Sequence, residues 1–314
     1  MGNYLIRRLP AMLVTLFAAS ILIFLILRLA PGSPAATIAG PDASAEQIHA
    51  VEEKLGLNAP LPQQYGTWLI GLVTGNLGVS IINDQPITTL IGSRVESTLL
   101  LALAATVLMS LLGITLGVLG GSSRSARLRS YLDAFYSVLL SLPTYVTSVL
   151  LLVLFGVLIP VLPISGEASF EDGIGEVLTY LVLPATALAI PHAAVIGRLL
   201  QNSMQEAMHE DYVRFGIAKG LSRARILWLH VLRNSMGTAI VAIGIRFSGL
   251  LGGAVVVEAL FSRNGLGQLM IGSVLSRDYV VVQDLIMLAV AIAVIVQALS
   301  EVALASMDPR IRLS

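Results

Sequence analysis

Residues 9–27 read LPAMLVTLFAASILIFLIL, a stretch without a single charged side chain. A helix that spans a bilayer needs about 20 mostly apolar residues. Six stretches of the sequence meet this condition, at about 9–29, 98–120, 132–159, 178–199, 237–260 and 283–305. A membrane β-barrel would show short alternating segments instead. The sequence therefore predicts an all-α polytopic membrane protein with six transmembrane helices.

The composition agrees with this prediction. Apolar residues make up 56% of the 314 residues and charged residues only 12%, whereas soluble domains carry roughly 25% charged residues. Lys and Arg number 19, as do Asp and Glu, so no basic excess indicates a nucleic-acid partner. Because the chain has no cysteine, disulfides, thiolate metal sites and cysteine nucleophiles are excluded.

The first apolar stretch is longer than the apolar region of a signal peptide, which spans about 7–15 residues. A retained first helix is therefore favoured over a cleaved leader. Loops on one side, including both chain ends, hold 13 Lys and Arg residues, and those on the other side hold 5. Since the richer side is normally cytoplasmic, the sequence predicts cytoplasmic N and C termini.

This orientation divides the chain into four parts. They are the N-terminal end with the first span at 1–30, an extracytoplasmic loop with short helices at 31–97, a core of spans at 98–305, and a cytoplasmic tail at 306–314.

The 31–97 segment has signals of local structure. Ser44 and Gln47 have the spacing of a capping box, which predicts a short helix over 46–55 ended by Gly56. A second helix is predicted over 64–73, with Tyr and Trp at the outer interface. That helix either packs on the outer face or contacts an external partner.

Prolines and glycines are dense in spans three to five. Pro143 is expected to break the third span, and Pro184 and Pro191 the fourth. Gly113 and Gly117 have the spacing at which helices approach closely. Ordinary packing explains any one of these features, but their density favours a transport pathway in these spans.

The longest predicted cytoplasmic loop is 201–236, QNSMQEAMHEDYVRFGIAKGLSRARILWLHVLRNSM. We predict a first helix over 204–219 ending at Gly220, and a second helix capped by Ser222. The first helix presents aromatic and cationic side chains, which is typical of contact with lipid headgroups or with the groove of a partner.

This loop resembles the conserved cytoplasmic loop of ABC-importer permeases of the dipeptide/oligopeptide/nickel branch, the inner membrane components of binding-protein-dependent transport systems. The resemblance is carried by Glu206-Ala207, Asp211-Tyr212-Val213-Arg214, Ala218-Lys219-Gly220-Leu221-Ser222 and His230-Val231-Leu232-Arg233-Asn234. Met208 departs from the family's Glu-Ala-Ala start, and Arg263-Asn264 stands where the family often has Trp-Pro.

Other segments match the same branch in order along nearly the whole chain. They include Ala30-Pro31-Gly32-Ser33-Pro34, Leu55-Gly56-Leu57, Gly75-Asn76-Leu77-Gly78, Leu183-Pro184-Ala185, Arg277-Asp278-Tyr279 and Asp308-Pro309-Arg310.

The resemblance implies a type I ABC importer permease fold in the bacterial cytoplasmic membrane. It also implies a homologous second permease, two ATP-binding subunits (or one fused pair) and an extracytoplasmic solute-binding protein. The residues expected to dock on the ATPases are Glu206, Ala207, Asp211, Tyr212, Arg214, Phe215, Ala218, Lys219 and Gly220. Peptides are the expected cargo, with nickel chelates, haem and similar solutes left open.

No GxxxxGK[ST] phosphate loop occurs in the sequence. We therefore expect no enzymatic activity and no cofactor in this chain, with ATP and Mg held by the partner ATPases. The alternatives are a secondary transporter or channel not driven by ATP, and a membrane enzyme. A secondary transporter would be expected to show internal repeats, and an enzyme a recognisable catalytic motif.

Ionisable residues inside spans are functional candidates. Arg246, near the middle of the fifth span, and Glu258, near its outer end, are candidates for the substrate pathway together with Pro143. Arg246 equally fits a structural pair. Asp133 and Asp284 are expected to be solvated or capping, and His192 is expected to pack.

Overall fold

The computed structural model describes residues 2–29, 34–40, 42–54 and 56–307. The segments Ala30–Ser33 and Asp308–Arg310, Leu55 and most of the predicted tail lie outside the described residues. The helices are α1 (Gly2–Leu29), α2 (Pro34–Ala39), α3 (Ala45–Lys54), α4 (Leu61–Thr74), α5 (Ile87–Ser122), α6 (Ala126–Ser141), α7 (Thr144–Val153), α8 (Ile174–Ala207), α9 (Asp211–Ala218), α10 (Arg223–Arg225), α11 (Leu232–Leu260), α12 (Leu266–Leu275) and α13 (Tyr279–Met307). A π-type turn at Leu154–Leu158 extends α7, and another at Ile226–Val231 joins α10 to α11.

The apolar stretches form the predicted spans. In the described part of the chain, five helical stretches are long and apolar enough to cross a membrane: Arg8–Leu29, Ile87–Ser122, Ile174–Ala207, Arg223–Leu260 and Tyr279–Leu299. A bent pair, Ala126–Ser141 with Thr144–Leu158, completes six. The prediction of an all-α membrane protein is therefore confirmed, and the count of six spans holds when the bent pair is taken as one span.

The two proline predictions have different outcomes. The third span is broken at Leu142 and Pro143, where its two halves meet at 96°. The predicted break of the fourth span is wrong, because α8 continues through Pro184 and Pro191. Each proline removes one backbone hydrogen bond, and α8 tolerates this because it is the most buried span and packs on α6, α7 and α11.

The chain divides into two compact units. One comprises Met1–Ser97 with Asn264–Ile295, and the other comprises Thr98–Arg263 with Val296–Ser314. A buried cluster in the first unit joins the start of α5 to α12 and α13 through Ile87, Leu90, Ile91, Leu269, Val281 and Leu285. The core of the second unit is built around α8.

Glycines set the distance between α5 and α8 in the second unit. A Cβ atom on Gly113 would lie 2.7 Å from the Cβ of Ile196, and one on Gly117 would lie 2.8 Å from the Cβ of Leu200. Both distances are too short for a real contact. The close approach expected from this glycine spacing is therefore confirmed.

The predicted helices of the 31–97 segment are also present. In α3, the amide of Ser44 donates to Gln47 Oε1 at 2.8 Å and the amide of Gln47 donates to Ser44 Oγ at 3.3 Å, which is the predicted capping box. In α4, Tyr65 Oη pairs with Ser20 Oγ at 2.8 Å. The Trp68 ring stacks on Phe24 of α1. These contacts favour the packing role of α4.

The expectation that Asp284 is solvated or capping is wrong. This residue is 1% exposed, and its Oδ1 accepts a hydrogen bond of 2.8 Å from Trp68 Nε1. The indole N–H satisfies one carboxylate oxygen and so allows its burial. Asp133, by contrast, is exposed as expected and accepts a 2.8 Å hydrogen bond from Gln201 Nε2.

Candidate functional site

The loop between α8 and α11 folds with boundaries different from those predicted. A single helix over 204–219 was expected, but α8 ends at Ala207 and α9 begins at Asp211. The turn between them contains Glu210, whose backbone is extended. Asp211 lies in the first turn of α9, where a negative charge is stabilised by the helix dipole. The break lets α9 turn its apolar side toward the core instead of continuing the direction of α8.

The turn after α9 agrees with the prediction. Gly220 has a φ of +78°, in the left-handed region that favours glycine. The amide of Leu221 donates to the carbonyl of Gly216 at 3.1 Å, so the end of α9 is closed by backbone hydrogen bonds. Ser222 then caps the next helix by accepting a hydrogen bond from the amide of Arg225 at 3.4 Å.

Helix α9 has one buried and one exposed side. Val213 and Gly216 are buried, and a Cβ on Gly216 would lie 3.6 Å from Ile226. On the other side, Phe215 is 63% exposed and Ile217 61% exposed. Exposed apolar side chains on a short helix are typical of a surface that contacts lipid or a partner.

Charged side chains flank these apolar residues on α9. The ammonium of Lys219 lies 4.5 Å from the centre of the Phe215 ring. Arg214 and Asp211 form an ion pair of 3.6 Å with both side chains largely in solvent. Such exposed pairs contribute little to stability, so these groups are available to a partner.

A cleft of about 460 Å³ adjoins α9 and is lined by Tyr212, Leu229, His230, Arg233 and Asn234. We call α9 together with this cleft the α9 surface. Of these lining residues, only Tyr212 is among the predicted docking residues. The motif His230–Asn234, on which the family resemblance also rests, is the signal that points to three of the other four.

The other predicted docking residues have different environments. Glu206, Ala218, Lys219 and Gly220 are exposed. Ala207 is 5% exposed and belongs to the buried core of the second unit. It therefore anchors the end of α8 and presents no surface of its own.

A buried charge cluster lies at the C-terminal end of α11, and its pairing of Arg263 with Glu167 was not predicted from the sequence. Arg263 is 3% exposed, and its Nη2 lies 3.3 Å from Glu167 Oε2. Its amide donates to the carbonyl of Glu258 at 2.8 Å. Burial lowers the pKa of Arg263, and the carboxylates of Glu167 and Glu258 oppose that shift. The amide of Gly166 also donates to the carbonyl of Phe261 at 2.8 Å, so the 160–173 loop is fastened to the end of α11.

Among the described residues, no group of three or more His, Asp or Glu side chains is placed to hold a metal ion.

Comparison with known proteins decides the family. Residues 113–313 match the family described as binding-protein-dependent transport system inner membrane component, and residues 1–102 match the N-terminal part of such membrane components. The chain belongs to this family. The permease is 35% identical to "Probable peptide ABC transporter permease protein y4tP" of Sinorhizobium fredii, over 99% of this chain and 100% of that protein. It is 34% identical to the glutathione transport system permease protein GsiC of Escherichia coli K12, over 99% of each chain.

These findings make the chain a multi-pass permease of an ABC importer in the inner membrane. Permeases of this family are membrane components that carry no cofactor and work with ATPases, a partner permease and a substrate-binding protein. The expectation of a permease without an ATPase site therefore agrees with the family, and the secondary transporter and the membrane enzyme are set aside.

The structure separates the three predicted pathway residues of the permease. Arg246 is half-buried in the middle of α11. Glu258 is completely buried, and 12 residues of helix place it about 18 Å further along the axis. Pro143 is exposed at the break of the third span. These residues therefore do not form one cluster.

Helices α7, α8 and α11 meet near the break. A Cβ on Gly253 would lie 3.0 Å from Leu188 Cδ2 and 4.0 Å from Thr144 Oγ1. One turn earlier along α11, a Cβ on Gly249 would lie 3.4 Å from His192 Cε1. His192 is half-buried at this contact, as expected of a packing residue.

Proposed function

We propose that this permease moves peptides or similar small solutes, delivered by an external binding protein, and is coupled to cytoplasmic ATPases through the loop 201–236. The cargo rests on the relatives, which are named for peptide and glutathione transport. The coupling rests on the α9 surface. The two parts of the proposal have separate tests.

The exposed side of α9 is the observation that carries the coupling proposal. Tyr212 and Phe215 expose 38% and 63% of their surface, yet Val213 between them is 2% exposed. We call Tyr212 and Phe215 the aromatic ridge. The buried Val213 holds the ridge in place, and an exposed ridge of this kind fits a groove on a partner. The predicted docking residues then fall into three groups: the exposed aromatic side chains, the charged side chains beside them, and the residues at the two ends. They are Glu206, Ala207, Asp211, Tyr212, Arg214, Phe215, Ala218, Lys219 and Gly220.

The charge distribution supports the orientation of the permease. Five of the 13 basic residues on the richer side fall within 201–236, which supports a cytoplasmic location for the α9 surface by the positive-inside rule. Because six spans return the chain to its starting side, both termini are cytoplasmic. The domain boundaries at 1–30, 31–97, 98–305 and 306–314 follow from the same orientation.

The importer we propose contains a second, homologous permease, two ATPases or one fused pair, and the external binding protein. ATP and Mg bind to the ATPases. The lack of a phosphate loop in this sequence supports that division of labour. The two permeases form the solute pathway between them.

The anchoring of α9 suggests how movement passes to the spans. Val213 and Gly216 pack toward Leu221 and Ile226 at the start of the helix that becomes α11. A rigid-body displacement of α9 by the ATPases would therefore shift the base of α11. Arg246 lies about halfway along that span and Glu258 near its end, which supports a role for both along the pathway. The bend at Pro143 gives the neighbouring span a place to hinge.

Two substitutions test the docking assignment. Tyr212→Asp and Phe215→Asp place a carboxylate on the ridge without touching Val213, so the spans should still fold. We expect either variant to lose co-purification with the ATPases while it retains the partner permease. Phe170→Asp is the matched control, because Phe170 is 51% exposed outside the loop and should leave ATPase association unchanged. Co-purification that survives both ridge substitutions would show that α9 is not the docking element.

The cargo is tested separately with the external binding protein. Ligands bound to that protein after purification should be peptides or peptide-like solutes, identified by mass spectrometry. A binding protein that carries a sugar or a metal chelate alone would refute the cargo proposal and leave the coupling proposal intact.

A further inference from the structure

An apolar pocket of about 470 Å³ lies in the unit formed by Met1–Ser97 and Asn264–Ile295. Its walls come from α1, α4, the start of α5 and α13, and include Leu13, Phe17, Leu72, Leu288 and Ala291. Ligand pockets in proteins span about 300–1,000 Å³, so the volume is sufficient for an apolar ligand. Since α1 and α13 are membrane spans, such a ligand would enter from the bilayer.

One carboxylate lines this otherwise apolar pocket. Asp284 is 1% exposed, and its Oδ1 accepts the hydrogen bond from Trp68 Nε1. Its Oδ2 has no hydrogen-bond partner in the described part of the chain. A buried polar atom in an apolar setting is costly unless a donor reaches it. The pocket therefore combines apolar walls with a buried carboxyl oxygen that lacks a hydrogen-bond donor.

A second buried carboxyl group lies near this end of the pocket. Asp278, six residues before Asp284, is also 1% exposed, and one of its oxygens accepts from Ser80 Oγ at 2.5 Å. Among the described residues, no Lys, Arg or His forms an ion pair with Asp284. A ligand with a cationic donor would match both the charge and the hydrogen-bond requirement.

The depth of Asp284 fits the head of a lipid. It lies five residues from Tyr279, at which α13 begins, or about 7.5 Å along the helix. The polar layer on each side of a bilayer is about 5–8 Å thick. Trp68, which contacts the carboxylate, is a residue type favoured at that level. The apolar walls extend from there into the hydrocarbon region.

We propose that this pocket binds one phospholipid with a primary ammonium headgroup, such as phosphatidylethanolamine. The ammonium donates to Asp284 Oδ2, and an acyl chain lies along Phe17 of α1 and Leu288 of α13. A helix of the partner permease, the main alternative occupant, would bring apolar contacts but would not select an amine.

The experiment uses the assembled importer in nanodiscs of phosphatidylcholine that contain a minor fraction of phosphatidylethanolamine with the same acyl chains. After release into detergent, native mass spectrometry counts the lipids retained. We expect one phosphatidylethanolamine per copy of this permease, selected over phosphatidylcholine. Asp284→Asn should weaken retention by about tenfold, which corresponds to about 1.4 kcal/mol.

A second variant protects the test against misfolding of the first. Ala291→Phe fills the pocket and leaves the contact between Trp68 and Asp284 in place, so it should abolish retention. Ala289→Phe is the matched control, because Ala289 lies on the same helix but is exposed and outside the pocket. It should retain the lipid.

Three results would overturn the proposal. The first is equal retention of the two phospholipids, and the second is retention that neither Asp284→Asn nor Ala291→Phe changes. The third is an unsubstituted importer that retains no lipid, combined with loss of the partner permease in Ala291→Phe. The last result would identify the partner permease as the occupant.

Discussion

Replacing Arg263 by Met removes the cation of the buried charge cluster at the end of α11. Its guanidinium is 3.3 Å from Glu167, and Glu258 is close enough to influence the pKa of Arg263. Glu258 is 0% exposed, so without Arg263 its carboxylate would remain buried without that cation. Met matches the aliphatic part of the Arg side chain, so the change chiefly removes the guanidinium with its charge and hydrogen bonds.

The structure bounds the size of the effect. Breaking a buried ion pair by removing one partner costs about 3–5 kcal/mol. The Glu167 side chain is 29% exposed and can be rehydrated, so the lower end of this range applies. We expect a loss of about 3 kcal/mol, which would lower the Tm by roughly 6–12 °C at about 2–4 °C per kcal/mol.

The assay is thermal unfolding of the purified importer, followed by light scattering and tryptophan fluorescence. Arg263→Lys is the control, because it keeps the positive charge and should lose less stability. Adding Glu258→Gln to Arg263→Met should recover part of the Tm, since it removes a buried negative charge that Arg263 no longer balances. An unchanged Tm in Arg263→Met, or no recovery in the double variant, would refute the idea that the cluster is held together by charge.

Further predictions concern helix packing, the turn after α9 and the pathway. Gly117→Val should cost about 1–3 kcal/mol by overpacking against Leu200, measured as a lower Tm. Gly92 lies in open space, so Gly92→Val should not lower the Tm in this way. An equal drop in Tm for the two variants would contradict close packing of α5 on α8. Gly220→Val forces a β-branched residue to a φ of +78°, which costs about 1–2 kcal/mol of conformational energy. It should weaken ATPase association in pull-down assays, and undiminished association would contradict a role for the turn. Arg246→Met should reduce solute uptake by proteoliposomes while ATPase association persists, and Arg246→Lys should restore part of it. Normal uptake by Arg246→Met would remove this residue from the pathway.

Local signals in the sequence predicted the features that depend on neighbouring residues. The spans followed from uninterrupted apolar length, because burial in a bilayer requires little else. The capping box of Ser44 and Gln47 and the left-handed turn at Gly220 involve residues three to five positions apart. Such features form wherever the rest of the chain is placed, so the sequence alone sufficed.

Features that depend on distant partners were missed. Trp68 and Asp284 are 216 residues apart in the sequence, so nothing near Asp284 indicated that its carboxylate would be buried. The pairing of Arg263 with Glu167 likewise joins a loop to the end of a later span. For the same reason the loop helix began at Asp211 and not earlier, since packing of Val213 against the core determines where α9 begins.

The contrast between Pro143 and the two prolines of α8 shows why a breaking residue does not by itself make a break. All three remove a backbone donor. At Pro143 the residue before it, Leu142, is extended with a ψ of 114°, which is the conformation that a following proline favours. Pro184 lies in the most buried span, where neighbouring helices hold α8 on several sides. The continuity of α8 through its two prolines is therefore supported by packing on several sides, whereas Pro143 lies at an exposed position without that support.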